Sequence, residues 1–289
     1  MVASRVLDTN LGAVEVMHLP GTKPPVLFFP GGHCSASLDC GWGIYTSLGH
    51  GVLSFSRPGY GRTRVGALSA EEFVPAVAEC CELLGIEDVA GVVGVSFGGL
   101  QAIQVAIAIP TRVPRLVLHS CAPSTLAYPD HRLEAALGPI VFGPGPQAVV
   151  WAVVRRLVGS DAGLRRMART LSRRPAAEWW HTWSEEDRAQ ARALFRTMRS
   201  GAGFANDLRQ GRADRAGYRR AVQSQVTCPT LVTASRDDAG VAFAHAEDLA
   251  ATIPTARLVE LDAPTHLFWI GPSRAQVRGA VEGFIAGRG

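Results

Sequence analysis

The chain has 289 residues, 47% hydrophobic and 19% charged, with a formal net charge of +4. This composition excludes a disordered or fibrous chain, and the length supports a large core without cross-links. Between residues 155 and 220 the arginines alternate with acids and alanines, which describes solvated helix faces rather than a nucleic-acid surface.

The N-terminal MVASRVLDTN lacks a basic segment followed by an apolar one, so no signal peptide is expected. Two short apolar runs come next, at 26–29 and 52–55. Each is of strand length and is bounded by Gly and Pro. A helix is predicted over 70–84. Ser69 and Glu72 form a capping-box pattern at its start, and Gly85 marks its end. A third strand is predicted at 89–95, an apolar helix at 100–109 ended by Pro110, and a fourth strand at 116–119. Late in the chain, strands at 230–233 and 257–261 flank a helix at 242–253, and an amphipathic helix over 274–286 follows.

Continuously apolar strands alternating with helices predict an α/β fold, a mostly parallel twisted sheet with helices on both faces. The middle of the chain has no good strand. It is rich in Arg and Ala and carries WWHTW at 179–183. It is read as a helical insertion, 124–225, set into a core formed by 1–123 and 226–289. Such an insertion would lie over the C-terminal edge of the sheet, where ligands bind in open α/β folds.

The predicted strand at 89–95 runs into GVSFGG (94–99) and then a helix. This is G-x-S-x-G in a strand–turn–helix context. A serine on so sharp a turn needs unusual backbone angles, and neighbours without Cβ avoid the clashes. The helix N-terminus behind it offers free N–H groups and partial positive charge, which suit an oxyanion beside Ser96. A serine hydroxyl needs a base. Of the eight histidines, His266 in DAPTHLFWIGP follows the last predicted strand and can reach back over the sheet edge. His33 lies in a Gly loop, His119 ends a strand and His245 sits in a helix. His18, His50, His131 and His181 have no placement that points at Ser96. The base needs an acid on another strand-end loop. ASRDDAGV (234–241) is such a loop and offers Asp237 or Asp238.

Six segments in order resemble the α/β-hydrolase superfamily, in particular its cap-bearing serine hydrolases. They are VLFFPGGHCSAS, LSFSRPGYGRT, GVSFGGLQA, IPTRVPRLVLHSCAP, CPTLVTASRDDAGV and HAEDLAATIPTARLVELDAPTH. The resemblance covers about 24–122 and 226–287. Pro30 stands where the family usually has histidine, and Ser56 where it usually has aspartate. An ungapped match through Val241 and HAEDLA places Asp238 at the family's acid position, with Asp237 as a turn or capping residue. The resemblance also implies an oxyanion hole made by the backbone amides of Phe97 and Gly32.

The expected activity is hydrolysis of an ester, lactone or thioester of a small, largely apolar molecule through Ser96, His266 and Asp238. C–C bond hydrolysis, aminopeptidase action or acyl transfer would use the same residues. A non-catalytic ligand-binding protein is the reading from a different class. WWHTW either lines the substrate pocket or packs the insertion onto the core. The six cysteines show no metal-binding spacing, so neither a metal nor another cofactor is expected, and free thiols suit a cytoplasmic protein. No stretch reaches the length of a membrane span. A monomer and a homodimer both remain open.

Overall fold

The computed structural model describes residues 3–130, 142–143 and 145–287. Eight strands form one sheet: β1 Arg5–Thr9, β2 Gly12–Leu19, β3 Lys23–Phe29, β4 His50–Phe55, β5 Gly91–Val95, β6 Leu116–His119, β7 Thr230–Ala234 and β8 Ala256–Glu260. Their spatial order is β1-β2-β4-β3-β5-β6-β7-β8. From β4 to β8 every pairing is parallel; β1 and β2 add an antiparallel edge. The sequence reading missed β1 and β2. Charged and polar residues such as Asp8, Glu15 and His18 interrupt their apolar runs, as an edge with one solvated face permits.

The central strands β4, β5, β6 and β7 are buried along their whole length because both faces are covered. Leu27, Phe29, Leu53, Val92 and Leu118 pack into a core with α2 Val74–Leu83, α3 Gly98–Ala108 and a later helix spanning Phe243–Thr252. Their neighbours Val26, Phe28, Val52, Val93 and Val117 point the other way. They pack with α1 Trp42–Ser47 and the C-terminal helix Ser273–Ile285. Successive side chains of a strand point to opposite faces, so one short run serves two cores.

The predicted helix at 70–84 starts later than its capping pattern suggests. Ser69 and Glu72 do exchange hydrogen bonds: the Ser69 N–H donates to Glu72 Oε2 at 2.8 Å, and the Glu72 N–H donates to Ser69 Oγ at 3.3 Å. They close a turn, and α2 begins at Val74. Pro75 has no N–H and is tolerated only in a first turn, which fixes the start there.

Between β6 and β7 the described chain is helical: α4 Pro146–Leu157, α5 Asp161–Arg169, α6 Ala176–Trp179, α7 Glu185–Thr197, α8 Gly203–Gln210 and α9 Ala216–Gln223. The helices at Phe243–Thr252 and Ser273–Ile285 are then α10 and α11. His131 lies outside the described residues. Trp179 and Trp183 are 2% exposed. They pack with Phe195, Phe268 and Ile270 in the core cluster that also holds Val277 of α11. Gly271 fits against the Trp183 indole so closely that a Cβ there would come within 2.8 Å of it.

No described helix is long and apolar enough to cross a membrane. All six cysteines are unpaired and buried.

Candidate active site

Strands β3, β5, β7 and β8 run parallel, so the loops after them emerge on one edge of the sheet. Those loops carry Gly32, Ser96, Asp238 and His266 respectively. The elbow after β5 has Ser96 at φ 51°, in the left-handed region that L-residues enter only under constraint. The constraint is visible in its neighbours. A Cβ on Gly94 would come within 2.7 Å of the Gly99 Cα, and one on Gly98 within 2.0 Å of the Phe29 carbonyl oxygen. Main chains in that proximity exclude any side chain. The Ser96 amide donates to the His119 carbonyl at 3.1 Å, which ties the turn to the end of β6.

Asp238 and His266 meet. The His266 Nδ1 lies 2.7 Å from Asp238 Oδ2, and Asp238 is 1% exposed. A carboxylate can only accept, so Nδ1 carries the proton and Nε2 is left with a free lone pair. The other Asp238 oxygen, Oδ1, accepts the amides of Gly240 at 2.7 Å and Val241 at 3.0 Å. Burial pulls the His266 pKa down, but the Asp238 charge and hydrogen bond together outweigh it and hold the imidazole above its ordinary value. Gly240 lies against the ring: a Cβ there would be 3.0 Å from His266 Cγ.

Asp237 does something else. Its side chain is about one-third exposed and forms an ion pair with Arg174 at 3.4 Å. Its amide donates to Ser235 Oγ at 3.1 Å. Its carbonyl accepts the Arg173 amide at 2.8 Å. The Leu171 carbonyl accepts both the Ala239 amide at 3.2 Å and the His266 amide at 3.0 Å. Residues 171–173, between β6 and β7, therefore bond to the loops carrying Asp238 and His266 at once.

Ser96 and His266 line one cavity of about 510 Å3, together with Gly32 and Phe97. Among the described residues, neither the Gly32 nor the Phe97 amide donates to a protein acceptor. Phe97 caps α3, so its amide belongs to the free donors of a helix N-terminus. The walls are mainly apolar and aromatic, including Phe142, Trp151, Leu194, Phe204 and Trp269. The tryptophans that line the cavity are thus Trp151 and Trp269, and none of the three in WWHTW does so. Sequence patterning flagged the conspicuous cluster. The lone indoles carried no local signal.

The loop after β3 is held from below. Arg57 donates from Nε to the Pro30 carbonyl at 2.9 Å and from NH2 to Asp207 Oδ2 at 2.8 Å, and Tyr60 Oη donates to the same oxygen at 2.6 Å. Ser56 accepts the Ala36 amide at 2.8 Å and donates to Glu15 at 2.7 Å. A buried carboxylate therefore still stands behind Ser56, supplied by β2. Burial pushes the Glu15 pKa up, and hydrogen bonds from Ser4, Arg62 and Ser56 bring it below its ordinary value. Among the described residues, no three His, Cys, Asp or Glu side chains gather as metal ligands.

The alpha/beta hydrolase fold family matches residues 24–272, and the chain belongs to it. It is 30% identical over 274 residues to the uncharacterized hydrolase YcgS of Bacillus subtilis (strain 168), covering 92% of each chain. It is 32% identical over 123 residues to esterase Rv0045c of Mycobacterium tuberculosis, covering 40% of this chain and 39% of the esterase. An alpha/beta hydrolase fold protein from Nakamurella multipartita superposes with a TM-score of 0.76 at 23% identity, over 99% of this chain and 100% of the other. The chain is an enzyme of the hydrolase class.

Proposed function

We propose that this hydrolase cleaves a carboxylic ester, lactone or thioester of a small, largely apolar molecule by way of a Ser96 acyl-enzyme. One observation carries the reading: the buried Asp238–His266 pair, at 2.7 Å, opens with Ser96 onto a single apolar cavity. Ser96 Oγ attacks the carbonyl carbon while His266 Nε2 takes its proton. The Gly32 and Phe97 amides receive the charge that develops on the carbonyl oxygen; each such donor contributes roughly 3 kcal/mol of barrier lowering. As the tetrahedral intermediate collapses, the bond to the leaving group breaks and His266 returns the proton to it. Water then enters, gives a proton to His266 and attacks the acyl carbon, and the acid leaves as Ser96 regains its proton. Asp238 fixes the tautomer and stabilises the imidazolium throughout. The inserted segment 124–225 acts as the cap and supplies apolar walls such as Trp151, Leu194 and Phe204 around the acyl group.

The test is turnover of short-chain phenyl esters by wild type and by Ser96→Ala. The reading requires hydrolysis by the wild type and a loss of at least about 10³-fold in kcat in the variant. Equal activity in the two proteins would refute it.

A further inference from the structure

One polar side chain in the cavity has no part in this mechanism. His33 follows Gly32 directly and lines the same space. Its backbone sits at φ 64°, a left-handed value unusual for a residue with a Cβ. The surroundings hold it there. The His33 carbonyl accepts the Arg199 amide at 2.8 Å. The ring packs tilted against Phe204, with centroids 4.1 Å apart, and edge-on to Trp151 at 5.2 Å.

The hydrogen bonds of the ring determine which nitrogen carries its proton. Trp151 Nε1 can only donate, and it donates to Ser200 Oγ at 2.9 Å. His33 Nδ1 lies 3.0 Å from the same hydroxyl. Ser200 is fully buried, and His33 Nδ1 is the acceptor in reach of its hydroxyl proton among the described residues. A buried hydroxyl gives its proton to such an acceptor. Nδ1 therefore accepts, and Nε2 carries the N–H. That Nε2 has no protein partner among the described residues and is not sealed by protein atoms. Burial, aided by Arg57, pushes the His33 pKa down to about 3, so the ring stays neutral over the working pH range.

Building on the Ser96 reading, we propose that His33 is a specificity-determining residue. Its Nε2–H donates to a second oxygen on the acyl group, close to the scissile carbonyl. The adjacency to Gly32 gives the placement: an acyl group whose carbonyl oxygen meets the Gly32 amide has its neighbouring carbons beside the His33 ring. The favoured substrates are therefore acyl compounds with an additional carbonyl oxygen near the scissile bond, such as 3-oxo esters. In an otherwise apolar cavity, a fixed donor discriminates strongly, because an analogue lacking the oxygen leaves it unpaired.

The experiment compares phenyl 3-oxohexanoate with phenyl hexanoate as substrates of wild type, His33→Phe and His33→Gln. The ratio of kcat/KM for the two esters is the readout, which cancels their intrinsic reactivities. His33→Phe keeps the aromatic packing and removes the donor. It should lower the ratio about tenfold, chiefly through KM for the 3-oxo ester, which is the scale of one neutral hydrogen bond. His33→Gln, with an amide donor, should restore part of the ratio. Should His33→Phe fail to fold, Ser200→Ala serves instead: it frees the tautomer and should lower the ratio in the same sense by a smaller factor. An unchanged ratio overturns the proposal. Equal loss on both esters also overturns it, while leaving the Ser96 mechanism standing. Inactivity of folded wild type on both esters, with no activity for Ser96 to contribute, overturns the two together.

Discussion

Asp237 and Asp238 are adjacent in sequence and differ in every physical respect. Asp238 is buried, spends one oxygen on two amides and the other on His266. Asp237 is partly solvated and pairs with an arginine. Asp238→Asn should lower kcat by three to four orders of magnitude, since the amide can donate to Nδ1 and select the wrong tautomer, an effect of about 10⁴ in the serine-protease triad. Asp237→Asn should stay within about threefold, because an exposed ion pair contributes about 0–1 kcal/mol. Steady-state kinetics on one ester measures both. The direction of the His266 shift sets the pH dependence. The base works when Nε2 is unprotonated, and the folded imidazole titrates above its ordinary 6.5. The acid limb of kcat/KM should thus lie above pH 6.5, and removing the Asp238 charge should move it lower. Among these residues Ser96 was legible in sequence, because a turn that excludes Cβ atoms writes its glycines at fixed offsets. His33 was placed in its Gly loop but its role was not readable. Its partner Ser200 is 167 positions away, and only folding brings a hydroxyl to Nδ1.

At the scale of elements, the helical segment between β6 and β7 is tied to the loops carrying Gly32, Asp238 and His266 by contacts of long sequence separation. α8 sends Asp207 down to Arg57 and Tyr60, and Arg57 in turn holds the Pro30 carbonyl. Both members of the ion pair are nearly fully buried. Asp207→Ala would leave a buried guanidinium without its counter-charge, at a cost of about 3–5 kcal/mol. Chemical denaturation should show that loss, and kcat should fall because the Pro30–Gly32 loop loses its anchor. A change below about 1 kcal/mol would show the pair to be passive. The parallel strands were readable because apolar runs between Gly and Pro are unambiguous. The start of α2 was not, because a genuine Ser69–Glu72 exchange can close a turn as well as cap a helix, and the later proline decides. WWHTW shows the same limit. The spacing of its tryptophans leaves open whether they face a core or a cavity, because that depends on what packs opposite them.

For the whole molecule, histidines whose desolvation lowers their pKa set the response to mild acid. Burial pushes His33 and His119 down to about 3. His119 is held neutral between Tyr45 Oη at 2.8 Å and Thr233 Oγ1 at 2.6 Å. Between pH 6.5 and about 3 the unfolded chain binds protons that the folded chain refuses, so stability falls as pH falls through this window. His266 has the opposite sign: its contribution is present below 6.5 and is lost as pH rises through its raised folded value. Burial, with Arg5, lowers the His18 pKa as well, so the depressed histidines outnumber His266, and the unfolding free energy should drop by about 1.4 kcal/mol per pH unit for each proton taken up. Urea titrations at pH 6 and pH 5 should show this slope, reduced by about one proton in His119→Phe. A covalent intermediate on Ser96 is open to a direct measurement: intact-protein mass spectrometry after reaction with a fluorophosphonate. A single adduct should form at Ser96, be absent in Ser96→Ala and form more slowly in Asp238→Asn. Folded wild-type protein that gains no mass, or gains it at another residue in both proteins, would contradict it.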